Sequence, residues 1–408
     1  MYIPLLSSFP AATPGTHKTV GIAYARVPCE PYEVDSPTIE GKPALKTSEC
    51  SFAIYYPSSG ETGGGVSWLP EPTSSVVAGY DKFLGGKGKW LNFGQTCSAL
   101  ASEGYVVVAV EHKDGSAPCV IYPEGKNTDA ASAEEPMLLF TRSTNLTWPE
   151  DGALELMDFR VLQLRMRVHE MQQAYKSFQK VLNGAVVPQG MDAEQASAFS
   201  DALRDSVDMS SVVLAGHSFG GATCLRSYDK MPVPVTHVLA LDPWFEPLIL
   251  GEEKYGFKWP KPPPTLVINS QGFTEWKEVW PGEKRICATL GATLVTIGGL
   301  GHQGFSDFPL ITSWPSKAFG NLALIHKLSM AELNGDLPEL LHEIGKREVF
   351  KEGILEGAPF EVIVHDTPEH ESADQDPTPA SPQLRLQRTL SQQSREGEPS
   401  AVPTEGNP

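Results

Sequence analysis

Basic residues are in short supply. The chain of 408 residues carries 32 Lys and Arg against 50 Asp and Glu, a formal net charge of -18. That balance excludes electrostatic docking on nucleic acid or on an anionic lipid surface, so any membrane contact has to be peripheral and hydrophobic. No apolar run approaches the roughly 20 residues of a membrane span. The apolar residues within Met1 to Ala11 follow no basic segment, so a secretory signal is not expected, and Tyr2 stands where N-myristoylation needs glycine. Cysteine is sparse as well. The six (Cys29, Cys50, Cys97, Cys119, Cys224, Cys287) are scattered without C-x-x-C spacing, which speaks against zinc and against a dense disulfide framework. A reduced, cytoplasmic setting with no metal and no cofactor is the expectation, in which the glycosylation pattern Asn145-Leu146-Thr147 has no role.

What is present centres on Ser211 to Thr223, S-V-V-L-A-G-H-S-F-G-G-A-T. A β-branched apolar run, Val212 to Ala215, breaks into Gly216-His217-Ser218-Phe219-Gly220 and continues in small, helix-compatible residues. This is the sequence form of a nucleophile elbow, in which Ser218 occupies the tip of a strand-to-helix turn tight enough to call for glycine two residues to either side. The bland alternative is a Gly-rich loop with an inert serine. The strand–turn–helix context favours the elbow.

The remainder of the chain supplies alternating elements. Val20 to Val27 and Ser51 to Tyr56 read as antiparallel strands, and residues 57–96 as a long loop region with Trp68, Trp90 and an amphipathic piece near Tyr80 to Leu84. A short helix, Gln95 to Glu103, precedes Tyr105 to Val110, a continuous apolar strand of the kind buried in a parallel sheet. It ends in the polar turn Glu111-His112-Lys113-Asp114-Gly115-Ser116. Leu154 to Leu182 has apolar residues in 3-4 alternation, suiting either one helix face packed on a sheet or a coiled coil. A further helix is expected at Ala193 to Arg204. After the elbow come strands at His237 to Leu241, Thr265 to Asn269 and Thr293 to Ile297, then helical patterns at Lys317 to Leu333 and Pro338 to Val349. Strands alternating with helices predict an α/β chain built on a mostly parallel doubly wound sheet, as one catalytic domain over residues 1–360. Residues 361–408 read as a disordered acidic tail rich in Pro, Ser and Gln, in which Arg385 to Ser391 is either a kinase site or plain solvated chain.

An elbow serine needs a base and an orienting acid, which on such a sheet follow in the order Ser, Asp/Glu, His. Asp242 comes just past the strand after the elbow, and His302 just past the last strand, beside glycines. His237, His326, His342 and Asp229 fall inside strands or helices, whereas Asp307, close to His302, stays open as a rival to Asp242. His217 is read as packing beside the elbow. The roles follow: Ser218 attacks an ester carbonyl, His302 carries the proton and Asp242 holds the imidazolium.

Several separated blocks resemble the platelet-activating factor acetylhydrolase family (the plasma and type II intracellular group). They are Gly216 to Thr223, Ala240-Leu241-Asp242-Pro243-Trp244, His302 to Phe308, Ala109 to Ser116, and the Arg-rich helix around Arg160 to Glu170. The resemblance implies an α/β-hydrolase fold and a serine esterase that removes short or oxidised sn-2 acyl groups from phospholipids without calcium. It also implies the triad Ser218, Asp242 and His302, with the Phe219 N–H as one oxyanion donor. One departure accompanies it. Family members carry, before the helix matching Gln95 to Glu103, a central strand ending in a His-Gly-Leu-Gly type loop that gives the second oxyanion N–H. Here Lys89 to Gly94 runs straight into Gln95, so one central strand and the oxyanion loop are missing from the pattern. Either the chain is a spliced or mis-predicted form, or Leu91 to Gly94 supplies a substitute. The alternatives to the phospholipid esterase are therefore a catalytically impaired lipid-binding variant and a carboxylesterase or thioesterase acting on small soluble esters.

Overall fold

A computed structural model describes residues 14–59, 94–117, 119–121, 137–148, 155–307, 315–345 and 362–365. Trp68, Trp90, the piece near Tyr80 to Leu84, the proposed substitute at residues 91–93 and the Arg385 to Ser391 motif lie outside the described residues.

The chain enters as a long hairpin, β1 (Thr19–Ile39) and β2 (Lys42–Ser58), antiparallel and interrupted by two register shifts. Its two-residue turn, Glu40-Gly41, has positive φ at both positions (52° and 77°), the geometry whose twist matches flanking strands. Alternation decides which face is inside: Ala23, Ala25 and Val27 on β1 and Cys50, Phe52 and Ile54 on β2 are buried. Helix α1 (Gly94–Ser102) leads to β3 (Val107–Glu111), which pairs antiparallel with β2. The strand starts later than the apolar run because the Tyr105 amide bonds back to the Leu100 carbonyl at the end of α1 (3.3 Å). The expectation of a strand buried in a parallel sheet is corrected here. Among the described residues β3 has only an antiparallel neighbour, and it is half-buried throughout.

A short antiparallel pair, β4 (Cys119–Ile121) and β5 (Met137–Leu139), precedes α2 (Leu156–Leu182) and α3 (Ala193–Arg204). Helix α2 packs inside the domain against β1, β2 and β3, which excludes the coiled-coil alternative. Its burial exceeds one apolar stripe. Phe159, Val161, Leu164, Met166, Phe178, Val181 and Leu182 are buried, and so are the polar Asp158, Arg160, Gln163, Arg167, Glu170, Gln173 and Ser177.

The second sheet runs β10-β9-β8-β7-β6. The parallel strands β6 (Val212–His217), β7 (Val235–Leu241), β8 (Thr265–Ser270) and β9 (Thr293–Ile297) alternate with α4 (Phe219–Ser227), α5 (Glu246–Tyr255), the single turn α6 (Gln271–Thr274) and α7 (Trp280–Leu290). Every residue of β8 is buried. One face packs with α4, α5, α7 and Val161 and Leu164 of α2, and the other with Leu324, Ile325 and Leu328 of α8 (Pro315–Asn334) and Leu337, Leu340 and Ile344 of α9 (Leu337–Gly345). The last strand, β10 (Val362–His365), lies antiparallel on β9, and its His365 Nε2 bonds to the Thr296 hydroxyl at 2.7 Å. The expected boundary at residue 361 is therefore too early, because these four residues belong to the sheet.

Among the described residues, no ladder joins β3 to β6. In β6, which carries the elbow, only Leu214 is buried and Ala215 is exposed, whereas β8 two strands away is fully covered. The two sheets are held together through α2, which touches the first along its strands and the second through α4 and α5.

Candidate active site

The turn between β6 and α4 is strained at Ser218. Ser218, between β6 and α4, has φ 57° and ψ -121°, a region that non-glycine residues rarely enter. Backbone bonds over-determine it: Ser218 N–H donates to the Leu241 carbonyl (2.9 Å), and the Ser218 carbonyl accepts from Trp244 (3.0 Å) and Ala222 (3.1 Å). The glycine requirement is redistributed relative to the motif. A Cβ on Gly216 would fall 2.4 Å from the Gly220 carbonyl, and one on Gly221 would fall 2.8 Å from Pro243 Cβ. A Cβ on Gly220 would meet nothing within 4 Å. Tight closure thus depends on Gly216 and Gly221, and Gly220 is not sterically demanded.

Asp242 follows β7 with φ 46° and is fully buried. Its amide bonds to the Ile268 carbonyl (2.6 Å) and its Oδ1 accepts the Ser270 N–H (2.6 Å), so the end of β8 fixes the carboxylate. Oδ2 lies 2.7 Å from His302 Nδ1. With an ionised carboxylate this pairing assigns the proton to Nδ1 and leaves Nε2 as a base. His302 sits in a single 3-10 turn after β9 with its side chain 31% exposed, so the imidazole is reachable from outside. The rival Asp307 is turned elsewhere: its carboxylate accepts the Gln95 N–H at the start of α1 (3.2 Å).

Two rings flank His302. Phe273 stacks on it nearly parallel (4.7 Å between centroids, 4°), and His217 lies against it at 4.4 Å and 34°. His217 Nε2 donates to the His302 carbonyl at 3.0 Å, and burial, followed by the neighbouring His302, holds the His217 pKa well below its usual range. His217 is therefore a neutral packing partner of His302, in keeping with the expectation that it packs beside the elbow. His217, Asp242 and His302 also form a cluster whose ligand atoms fall within 4.8 Å of one another. Both Asp242 oxygens, His302 Nδ1 and His217 Nε2 are already engaged in the bonds above.

The Phe219 N–H is the first amide of α4, beside Ser218. At the start of α1, the Gln95 N–H is taken by Asp307, which removes it as a second oxyanion donor.

The polar turn after β3 is organised by α2. Glu170 accepts from the Lys113 amide (2.7 Å) and pairs with His112 Nδ1 (2.6 Å), Gln163 donates to the Asp114 carbonyl (2.7 Å), and Arg167 Nε donates to Asp114 Oδ2 (2.7 Å). The fully buried Lys113 ammonium reaches Glu49 on β2 (2.5 Å). Burial opposes the Asp114 charge, but Arg167, His112 and the Ser116 hydroxyl together hold its pKa below the usual carboxylate range.

The family model described as "Platelet-activating factor acetylhydrolase, isoform II" matches residues 83–322, more than half of the chain. The chain belongs to this family. Its fold is accordingly the α/β-hydrolase fold, and the family is one of carboxylic ester hydrolases. The chain is 28% identical over 300 residues to the platelet-activating factor acetylhydrolase of Bos taurus (64% of this chain, 63% of that protein). It is 30% identical over 221 residues to that of Gallus gallus (53% and 49%) and 32% identical over 215 residues to that of Cavia porcellus (52% and 44%). It therefore spans less than two thirds of the length of these relatives.

The structure brings Ser218, Phe219, Asp242 and His302 together on one sheet edge and separates Asp307 from them. Sequence reasoning missed Phe273, Ser270 and the Asp114–Arg167 pair as neighbours of the site. The pair had a signal: Gln163, Arg167 and Glu170 recur at helical spacing on a helix whose other face is apolar, a polar stripe long enough to need buried partners. Phe273 and Ser270 had none, because their placement depends on the register of β8.

Proposed function

We propose that the chain is a serine esterase acting on phospholipids that carry a short or oxidised sn-2 acyl group, with Ser218 as nucleophile, His302 as base and Asp242 as orienting acid. The observation that carries the reading is the 2.7 Å bond from His302 Nδ1 to Asp242 Oδ2 on the edge where Ser218 is held at φ 57°. Ser218 Oγ attacks the ester carbonyl as His302 Nε2 takes its proton, and the imidazolium passes that proton to the departing sn-2 oxygen. Water then hydrolyses the acyl-serine by the same route in reverse. The Phe219 N–H stabilises the oxyanion. No helix among the described residues is long and apolar enough to cross a membrane. The net charge of -18 favours hydrophobic over electrostatic contact with the lipid that carries the substrate.

The test is labelling of the recombinant chain with a fluorophosphonate probe, together with acetate release from 1-alkyl-2-acetyl-glycerophosphocholine in the presence of a calcium chelator. Labelling and release that both vanish in Ser218→Ala are expected. Equal turnover of esters lacking the phosphocholine head group would overturn the lipid assignment in favour of a small-ester carboxylesterase or thioesterase. A second reading, a lipid-binding protein with impaired catalysis, is favoured by the lack of a ladder between β3 and β6 among the described residues and by the engagement of the Gln95 amide. It predicts phospholipid binding without probe labelling.

A further inference from the structure

Arg167, on α2, is 7% exposed and touches both the turn after β3 and α4. Its Nε donates to Asp114 Oδ2 (2.7 Å) and its Nη2 to Ser116 Oγ (2.5 Å), both in the turn after β3. Nη1 reaches Thr223 Oγ1 on α4 (3.5 Å), and Cζ lies 4.3 Å from the centre of the Phe219 ring. Thr223 in turn donates to the Phe219 carbonyl (2.8 Å), and Trp244 meets the Phe219 ring edge-to-face at 5.4 Å. The residue beside the nucleophile is thus gripped through its ring and its carbonyl, both connected to one guanidinium.

Two arguments assign this grip to positioning and not to stability. Burying an ion pair costs about as much in lost hydration as the attraction returns, and Asp114 is fully buried. A pair of apolar residues would serve a core equally well. The second concerns the sheets. Among the described residues no ladder joins β3 to β6, and Arg167 of α2 bonds both to the turn that follows β3 and to α4, which follows the elbow. A rigid planar guanidinium can serve Asp114, Ser116 and Thr223 from fixed positions with its Cζ over the Phe219 ring, a geometry that a compact ammonium on a flexible stem does not reproduce.

We propose that Arg167 is a positioning residue for the reaction at Ser218: its guanidinium, fixed by Asp114 and Ser116, clamps Phe219 and Thr223 and so holds the Phe219 amide where the oxyanion forms. The proposal rests on the ester-hydrolase reading above and deepens it.

The test uses the full chain and the variants Arg167→Lys, Phe219→Leu, the two combined, and Thr223→Val. It measures the rate of fluorophosphonate labelling, kcat and KM on the acetyl phospholipid, and the thermal midpoint. Arg167→Lys keeps a charge beside Asp114, and is expected to lower labelling rate and kcat by about 10-fold or more, with KM within about twofold of wild type and the protein folded. Thr223→Val should lower kcat several-fold in the same way. If Arg167 acts through the Phe219 ring, the combined variant is no slower than the slower single one. Wild-type kcat in Arg167→Lys, single effects that multiply, or a loss confined to KM would each overturn the clamp. A wild-type chain that resists labelling takes down the ester-hydrolase reading and the clamp together, whereas a labelled wild type with an unaffected Arg167→Lys takes down the clamp alone.

Discussion

Glu283 on α7 and Asn269 on β8 form a buried pair whose hydrogen-bond inventory is one proton short. Both are essentially inaccessible, at 1% and 0% exposure, and Asn269 Nδ2 donates to Glu283 Oε1. The two atoms left without a partner are Glu283 Oε2 and Asn269 Oδ1. A proton on Oε2 would close a ring of two hydrogen bonds, acid to amide and amide to acid, and satisfy both. Burial, aided by the Asp242 charge and opposed by the Asn269 bond, pushes the Glu283 pKa from 4.5 up to about 8. Cys287, one turn further along α7, is a buried thiol and adds no positive charge to offset this.

The sign follows from linkage. Between these two pKa values the unfolded chain has released the proton that the folded chain keeps, so the contribution of Glu283 to stability is fully present below pH about 4.5. It is lost progressively as pH rises through about 8. At about 1.4 kcal/mol for each pH unit, the interval comes to at most about 5 kcal/mol. Glu283→Gln keeps the ring, since its amide donates to Asn269 Oδ1 at any pH, and removes the titration. Urea unfolding of both proteins from pH 5 to pH 9 is the assay. Wild type should lose stability relative to Glu283→Gln by about 1.4 kcal/mol per unit until about pH 8 and run parallel above it. Parallel behaviour across the whole range would refute a protonated Glu283, and with it the ring.

Three further outcomes follow from named contacts. Asp242→Asn should lower kcat by about 10⁴ by disturbing the His302 tautomer, while Asp307→Asn, which loses charge at the start of α1, should lower stability by about 1 kcal/mol or less and leave kcat near wild type; steady-state kinetics and urea melts distinguish them, and the reverse ranking would reinstate Asp307. Gly221→Ala presses a methyl against Pro243, next to Asp242, and should destabilise by about 1–3 kcal/mol with loss of activity, whereas Gly220→Ala, which meets open space, should be near neutral in both. Ile268→Ala, in the middle of the fully buried β8, should cost about 2–5 kcal/mol in chemical denaturation.

How much of this was legible depended on the range of the interaction concerned. The elbow, the parallel strands and the order Ser218, Asp242, His302 could be read directly, because strand periodicity and turn chemistry are local and because residues just past parallel strands arrive at one sheet edge whatever the helices between them do. The strand boundary at Tyr105 was misjudged because a helix-end hydrogen bond competes with the ladder for the same amide. The helical spacing of Gln163, Arg167 and Glu170 signals a polar stripe on α2, but which groups that stripe meets is set by helix placement and is not encoded in the spacing.

The sequence by itself therefore determined the family, the α/β pattern and which residues assemble at the elbow. Only the tertiary structure distinguishes Asp242 from Asp307 as a neighbour of His302: Asp242, far from His302 in the chain, lies 2.7 Å from its Nδ1, whereas Asp307, close to His302 in the chain, meets the first turn of α1. It also decided that the glycines demanded at the elbow are Gly216 and Gly221, and that Arg167 and Glu283 stand behind Phe219 and Asp242. Those are contacts between elements far apart in the chain, set by helix placement and strand register, and no local pattern encodes them.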